Sequence, residues 1–230
     1  ADPPTVPGPG DRDFQTWSPE ELRTFLQAMK QHRLAAAFVL AASTGMRRGE
    51  VLGLRWDDVD LEGGTVAVRQ TIINVAYEVM RSEPKTARGR RTISIDPATV
   101  GVLRAHRQSQ LGECPSSGEP AEGALVFTRP DGRPVHPDLF TQTFTRTVKR
   151  LGLRRVRLHD VRHTYATLAL RAGVDAKTVS ARLGHSTVAF TLDVYTKAVP
   201  QLDEDADGQL DAAHPPHTIS GAITLVTVFV

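Results

Sequence analysis

Apolar residues recur at helical spacing near the start of the chain, with Leu22, Phe25, Leu26 and Met29 on one face behind Ser18-Pro19-Glu20-Glu21. That tetrad offers a capping oxygen, a proline suited to the first helical position and acids for the first turn, so it predicts where a helix starts. A second apolar helix is predicted over about 34–42, ending near Gly45, and a third from about Arg48 through Val51, Leu52 and Leu54. From Gly63-Gly64 the pattern changes. β-branched residues gather in 65–68, 71–73, 75–79 and 92–95, which predicts a small antiparallel sheet of three strands. The last turn of that sheet, 83–91, is basic. Pro97 opens another predicted helix to about Ser109, a Gly/Pro/Ser loop runs to Gly123, and Asp131-Gly132 marks a tight turn. After Pro137 the helical period returns over about 138–150, 159–171, 176–183 and 187–197, with Gly173 and Gly184 as stops. The expected fold class is therefore mainly α with a small antiparallel three-stranded β-sheet (α+β), in one domain.

Composition leaves that picture intact: 230 residues, 40% hydrophobic and 23% charged, suit a folded domain with its own core. No apolar run is long enough to span a bilayer, so no membrane partner is expected. The lone Cys114 lies in a loop-like stretch, excludes an internal disulfide framework and suits a reducing cytoplasm. Residues 1–16 open with Pro3, Pro4, Pro7, Gly8 and Pro9 and read as a stiff linker. Residues 198–230 hold five acids and no Lys or Arg, then the uncharged, β-prone run 223–230. The net charge of +2 thus hides a basic body and an acidic tail. Residues 141–172 carry eight Lys or Arg against the single acid Asp160, a footprint suited to a polyanion.

Within the basic body a few side chains have the chemistry to act together. His159 and Arg162 lie three apart on a predicted helix and share a face. A guanidinium matches two phosphate oxygens, and an imidazole beside it can move a proton. His159 and His163 also have the i, i+4 spacing of a zinc pair. A zinc site of that kind wants Glu where Asp160 stands, and Arg162 would oppose the dication, so His163 reads better as a half-buried packing residue. Arg47 and Glu50, three apart after Gly45, suit an arginine oriented from behind by a carboxylate. Lys85 in the basic turn is either a proton donor to a leaving alkoxide or an exposed phosphate contact. Arg88, Arg90 and Arg91, with Arg154 and Arg155, are assigned to phosphate contacts along a polyanion backbone. His185 follows a helix-ending glycine, Ser186 caps the next helix, and Tyr195 lies ten residues on from His185. A phenol is a weak nucleophile with a pKa near 10, unless guanidiniums lower that value.

Three stretches, Thr44-Gly45-Met46-Arg47-Arg48-Gly49-Glu50-Val51-Leu52-Gly53-Leu54-Arg55-Trp56, Leu158-His159-Asp160-Val161-Arg162-His163-Thr164 and Leu183-Gly184-His185 through Val194-Tyr195, resemble the catalytic domain of the tyrosine recombinases, the phage-integrase family. The resemblance implies a catalytic set of Arg47, Lys85, His159, Arg162, His185 and Tyr195. It implies cleavage and rejoining of double-stranded DNA through a 3′-phosphotyrosyl link, with no metal or nucleotide cofactor. It further implies partner protomers, four on two DNA segments, and an accessory DNA-bending protein. On this view residues 1–16 link to an N-terminal DNA-binding region, 17–197 form the catalytic domain, and 198–230 are an acidic tail with a β-prone C-terminal segment, whose end either adds as a strand to a neighbouring protomer or is a terminal remnant. The expected setting is the nucleoid of a bacterial or phage-infected cytoplasm. The competing functions are DNA relaxation of the type IB topoisomerase kind, a regulator that binds DNA without cutting it, and a zinc hydrolase.

Overall fold

The computed structural model describes residues 15–75, 78–82, 89–113, 123–185 and 187–195. The predicted tail, Cys114, Ser186 and most of the predicted linker lie outside these residues. Helix α1, Pro19–Met29, starts where the capping tetrad predicts: the Ser18 hydroxyl accepts the Glu21 N–H, and the Glu21 carboxylate accepts the Ser18 N–H. This reciprocal cap satisfies two donors that a helix start leaves open.

Helix α2, Ala35–Thr44, is buried at nine of its ten positions and forms the middle of the molecule. Its all-round apolar surface takes α1 on one side and α6, Asp160–Arg171, on another. Helix α6 is itself buried at every position from Asp160 to Leu170, although it carries Arg162, His163, Thr164 and Thr167. The main core gathers Trp17, Phe25, Phe38, Phe140 and Phe144, in which Phe38 stacks on Phe140 with centroids 4.2 Å apart. Phe140 and Phe144 come from α5, Pro137–Arg150. A smaller apolar cluster of Tyr165, Ala166, Ala169 and Leu170 with Val179 and Leu183 seats α7, Ala176–Leu183, on α6.

The strands depart from expectation in their partners. A three-stranded antiparallel sheet is present, but its order is β1 (Val59–Asp60), β2 (Thr65–Val68), β5 (Arg91–Ser94). Strands β3 (Thr71–Val75) and β4 (Glu78–Ser82) stand apart from it and pair with each other as a separate antiparallel two-stranded sheet. The cause is the short helix α3, Arg48–Leu52. Gly49 and Gly53 present bare backbone to β3, and a side chain at Gly49 would meet Thr71 Oγ1 at 2.4 Å. Gln70 also donates to the Gly53 carbonyl at 2.6 Å, which draws the chain off the sheet and onto α3. Helix α4, Pro97–Glu113, follows β5, and its start is held by Asp96, which accepts from the Thr99 amide and hydroxyl. The last described element, α8, is Val188–Tyr195. Among the described residues no helix is long and apolar enough to cross a membrane.

Candidate active site

The three motif stretches meet at the C-terminal ends of two helices. Helix α2 ends at Gly45 in the left-handed region, φ 64°. A side chain there would meet Tyr165 Cδ1 and Leu183 Cδ2, each at 2.6 Å. Only glycine gives both the turn and the close approach to α6 and α7. The turn delivers Arg47 in extended conformation just ahead of α3. Its amide donates to Glu50 Oε2 at 2.8 Å and its Nη1 to Glu50 Oε1 at 2.9 Å, while the side chain stays 46% exposed. The neighbouring Arg48 points elsewhere, to Thr141 Oγ1 at 2.7 Å and Asp138 at 3.5 Å on α5. The two adjacent arginines are thus told apart by direction.

Helix α7 ends in a left-handed glycine as well, Gly184, φ 66°. Its final turn closes with the His185 amide on the Ser180 carbonyl at 3.1 Å. Arg162, buried within α6, joins the two helix ends. It donates through Nη1 to the Gly45 carbonyl at 2.8 Å and through Nη2 to the Leu183 carbonyl at 2.6 Å. Carbonyls at helix C-termini carry partial negative charge and lack partners within the helix, so they suit a buried cation. One guanidinium therefore fixes the turn bearing Arg47 against the turn bearing His185.

The imidazoles fall into the same cluster. His185 Nδ1 lies 2.8 Å from the Thr191 hydroxyl, which is fully buried on α8 four residues before Tyr195. His185 thus docks on α8, the helix whose last residue is Tyr195. The side chain of Tyr195 itself lies outside the described part of the structure. Burial, then Arg162 and Arg47, hold the His185 pKa down to about 3. Burial followed by Arg162 also lowers His159, with Arg47 adding to the effect. That both imidazoles feel both guanidiniums marks the four groups as one cluster. His159 sits at the start of α6 with its ring edge-on to His163, centroids 5.0 Å apart. Burial and then His159 push the buried His163 down to about 4. The imidazoles are therefore held neutral near pH 7.

One assignment is corrected. Arg91 does not reach outward to DNA: its side chain is 8% exposed and lies across Glu50, with Nη1 at 3.0 Å from Oε1 and Nη2 at 2.8 Å from Oε2. Its Nε donates to the Arg182 carbonyl at 2.6 Å. A guanidinium with all three nitrogens engaged in the interior cannot also face solvent phosphate. Burial works to raise the Glu50 pKa, but Arg91 and then Arg47 outweigh it and hold the carboxylate below its ordinary value. The sequence carries a signal for this: in the strand Arg91-Thr92-Ile93-Ser94, alternation puts Arg91 on the same inward face as the buried Ile93, whereas Arg90 falls on the outward side. Arg90 and Arg155 are exposed, whereas Arg154 reaches back to the Thr16 carbonyl and to Glu21, both at 3.2 Å. Lys85 and Arg88 lie outside the described residues. The sequence alone does not single out Thr191 as a partner of His185, although its place one helical turn before Tyr195 is a clue.

The sequence profile of the phage integrase family matches residues 15–201. The chain belongs to the phage integrase family. It is 34% identical over 209 residues to a XerC-like tyrosine recombinase of Caldanaerobacter subterraneus subsp. tengcongensis, covering 85% of this chain and 54% of the relative. The ICEBs1 integrase of Bacillus subtilis is 29% identical over 203 residues, covering 87% of this chain and 55% of that protein. The chain thus spans about half the length of these curated relatives. Among solved structures, the Tn1549 transposon integrase in complex with transposon right end DNA superposes with TM-score 0.69 at 22% identity, over 90% of this chain and 69% of that one. The XerA recombinase superposes with TM-score 0.66 at 22% identity, over 90% and 68%. These two share the fold of this phage integrase family member.

Proposed function

We propose that residues 17–197 of this chain are the catalytic domain of a site-specific DNA recombinase that cuts and rejoins strands through Tyr195. The observation that carries the reading is the double tie of Arg162 to the Gly45 and Leu183 carbonyls. It brings an exposed guanidinium, a buried one and a neutral imidazole together beside the helix that ends in Tyr195. Such a cluster suits one phosphodiester. Arg47, Arg162 and His185 donate to its non-bridging oxygens and stabilise the charge that builds up in the transition state.

In the proposed reaction Tyr195 attacks phosphorus in line, the bond from phosphorus to the 5′-oxygen breaks, and a 3′-phosphotyrosyl bond forms. His159 takes the phenol proton, for which a neutral imidazole is required. Lys85 gives a proton to the departing 5′-oxygen. The 5′-hydroxyl of a second strand then reverses these steps and releases the tyrosine. One phosphodiester is exchanged for another, so the chemistry needs no energy source. Glu50 orients Arg47. Arg90, Arg155 and Arg88 remain proposed phosphate contacts, and Arg154 shares that role with its bond to Glu21. Double-stranded DNA is the substrate, with four protomers on two segments and a DNA-bending protein as helper. The bacterial and phage sources of the relatives support a role in a mobile element at the nucleoid.

The test is incubation with a set of DNA duplexes nicked near the cleavage position, so that the released fragment diffuses away and the covalent product is trapped. Denaturing gels should show a protein–DNA adduct with the native chain and none with Tyr195→Phe. An adduct of equal yield in the Phe variant would refute the nucleophile.

A further inference from the structure

We infer that Arg91 is a positioning residue for this site: through Glu50 and the Arg182 carbonyl it holds the Arg47 guanidinium and the His185 turn in one fixed relation. The inference rests on the strand-cleavage reading above. Each Glu50 oxygen accepts one bond from each arginine. Oε1 takes Nη1 of Arg47 and Nη1 of Arg91, and Oε2 takes the Arg47 amide and Nη2 of Arg91. A carboxylate gripped on four sides has one rotamer, and Arg47 Nη1 is fixed with it. Without Arg91 the buried carboxylate would lose half its donors. It would turn fully onto Arg47, drawing that guanidinium inward and cancelling its charge.

The second arm works on α7. Its last two carbonyls, of Arg182 and Leu183, are taken by Arg91 Nε and Arg162 Nη2 respectively. Two guanidiniums thus cap one helix end immediately before Gly184 and His185, and set the direction in which the chain leaves it. Arg91 Nη1 also reaches the Gly89 carbonyl at 3.3 Å, which pins the approach to β5. Lysine cannot replace it. A single ammonium is a point donor, unable to span both carboxylate oxygens and a carbonyl on the far side.

The test uses the full chain and a nicked duplex that yields the adduct, with Arg91→Met, Arg91→Lys, Glu50→Gln and the Arg91→Met, Glu50→Gln double variant. At saturating DNA the adduct should form about 10–100-fold more slowly in Arg91→Met, the range typical of groups that orient a reacting residue. DNA affinity should change by less than about threefold. Arg91→Lys should not restore the rate. The loss should shrink when Glu50→Gln is already present, because the two act through one contact. A native rate with weakened DNA binding would overturn the inference and restore the phosphate-contact assignment. An undiminished loss in the Glu50→Gln background would overturn it in favour of a general fold role. Absence of any adduct from the native chain would count against the strand-cleavage reading instead. The positioning claim then stands or falls on the His185 imidazole titration followed by NMR. Arg91→Lys, which keeps the positive charge acting on His185 but not the three-way grip, should still move that titration from about 3, and an unmoved titration in Arg91→Lys would overturn the claim.

Discussion

At Gly45 one missing Cβ decides whether the site can form. The residue stands at φ 64° with Tyr165 and Leu183 each 2.6 Å from where a methyl would sit. Gly45→Ala adds backbone strain of about 1–2 kcal/mol and overpacking of about 1–3 kcal/mol, so urea denaturation should show a loss of about 3 kcal/mol. A loss under about 1 kcal/mol would mean that α6 and α7 give way readily. The histidines make a second prediction at this scale. In the unfolded chain an imidazole takes a proton near pH 6.5, whereas the folded His163 resists until about 4 and His185 until about 3. Between these values the unfolded state binds more protons. Stability is therefore fully present above pH 6.5 and falls as pH drops towards 4, by at most about 1.4 kcal/mol per pH unit for each histidine. Urea midpoints at pH 7.5 and pH 5 should differ accordingly, and His163→Gln should flatten the difference. Equal midpoints in the native chain would contradict the buried, neutral assignment.

Among elements, α6 is the one that the rest of the molecule holds in place. Its outer anchor is Trp17, whose amide donates to Thr164 Oγ1 at 3.1 Å and whose indole N–H donates to the Arg154 carbonyl at 2.9 Å. The ring packs on Phe25 and Phe144, at 5.3 and 5.4 Å between centroids. Trp17→Ala should therefore cost about 3–5 kcal/mol in thermal or urea unfolding, as large buried aromatics do. A cost below about 1 kcal/mol would show that α6 is anchored elsewhere. The helices were legible because their ends are written in local chemistry: the Ser18 cap, Pro97, and the glycines at 45 and 184. The strands were less so. β-propensity marked 71–79 as strand but could not say which neighbour it would choose, because the choice was made by two glycines on α3. The two-residue strand β1 is too short to carry any period.

Across the whole molecule, the sequence announces a basic body, but charge alone does not say which arginines face outward. Arg162 and Arg91 are buried and tie the fold together, Arg48 turns to α5, and Arg47 remains half exposed at the meeting point of two helix ends. Sequence order made Arg47, Arg162 and His185 recognisable as a set. Their convergence depends on contacts 117 and 21 residues apart along the chain, made by Arg162 to Gly45 and Leu183, which no local pattern encodes. The account's central claim is that this convergence serves Tyr195. The most direct measurement is to trap the covalent adduct, digest the DNA to a short remnant, cleave the protein with trypsin and sequence the modified peptide by mass spectrometry. The chain has three tyrosines, at 77, 165 and 195, and trypsin separates them. The account predicts the phosphonucleotide on Tyr195 within the peptide from Leu183 to Lys197. A remnant on Tyr77 or Tyr165, or on a serine or histidine, would contradict it.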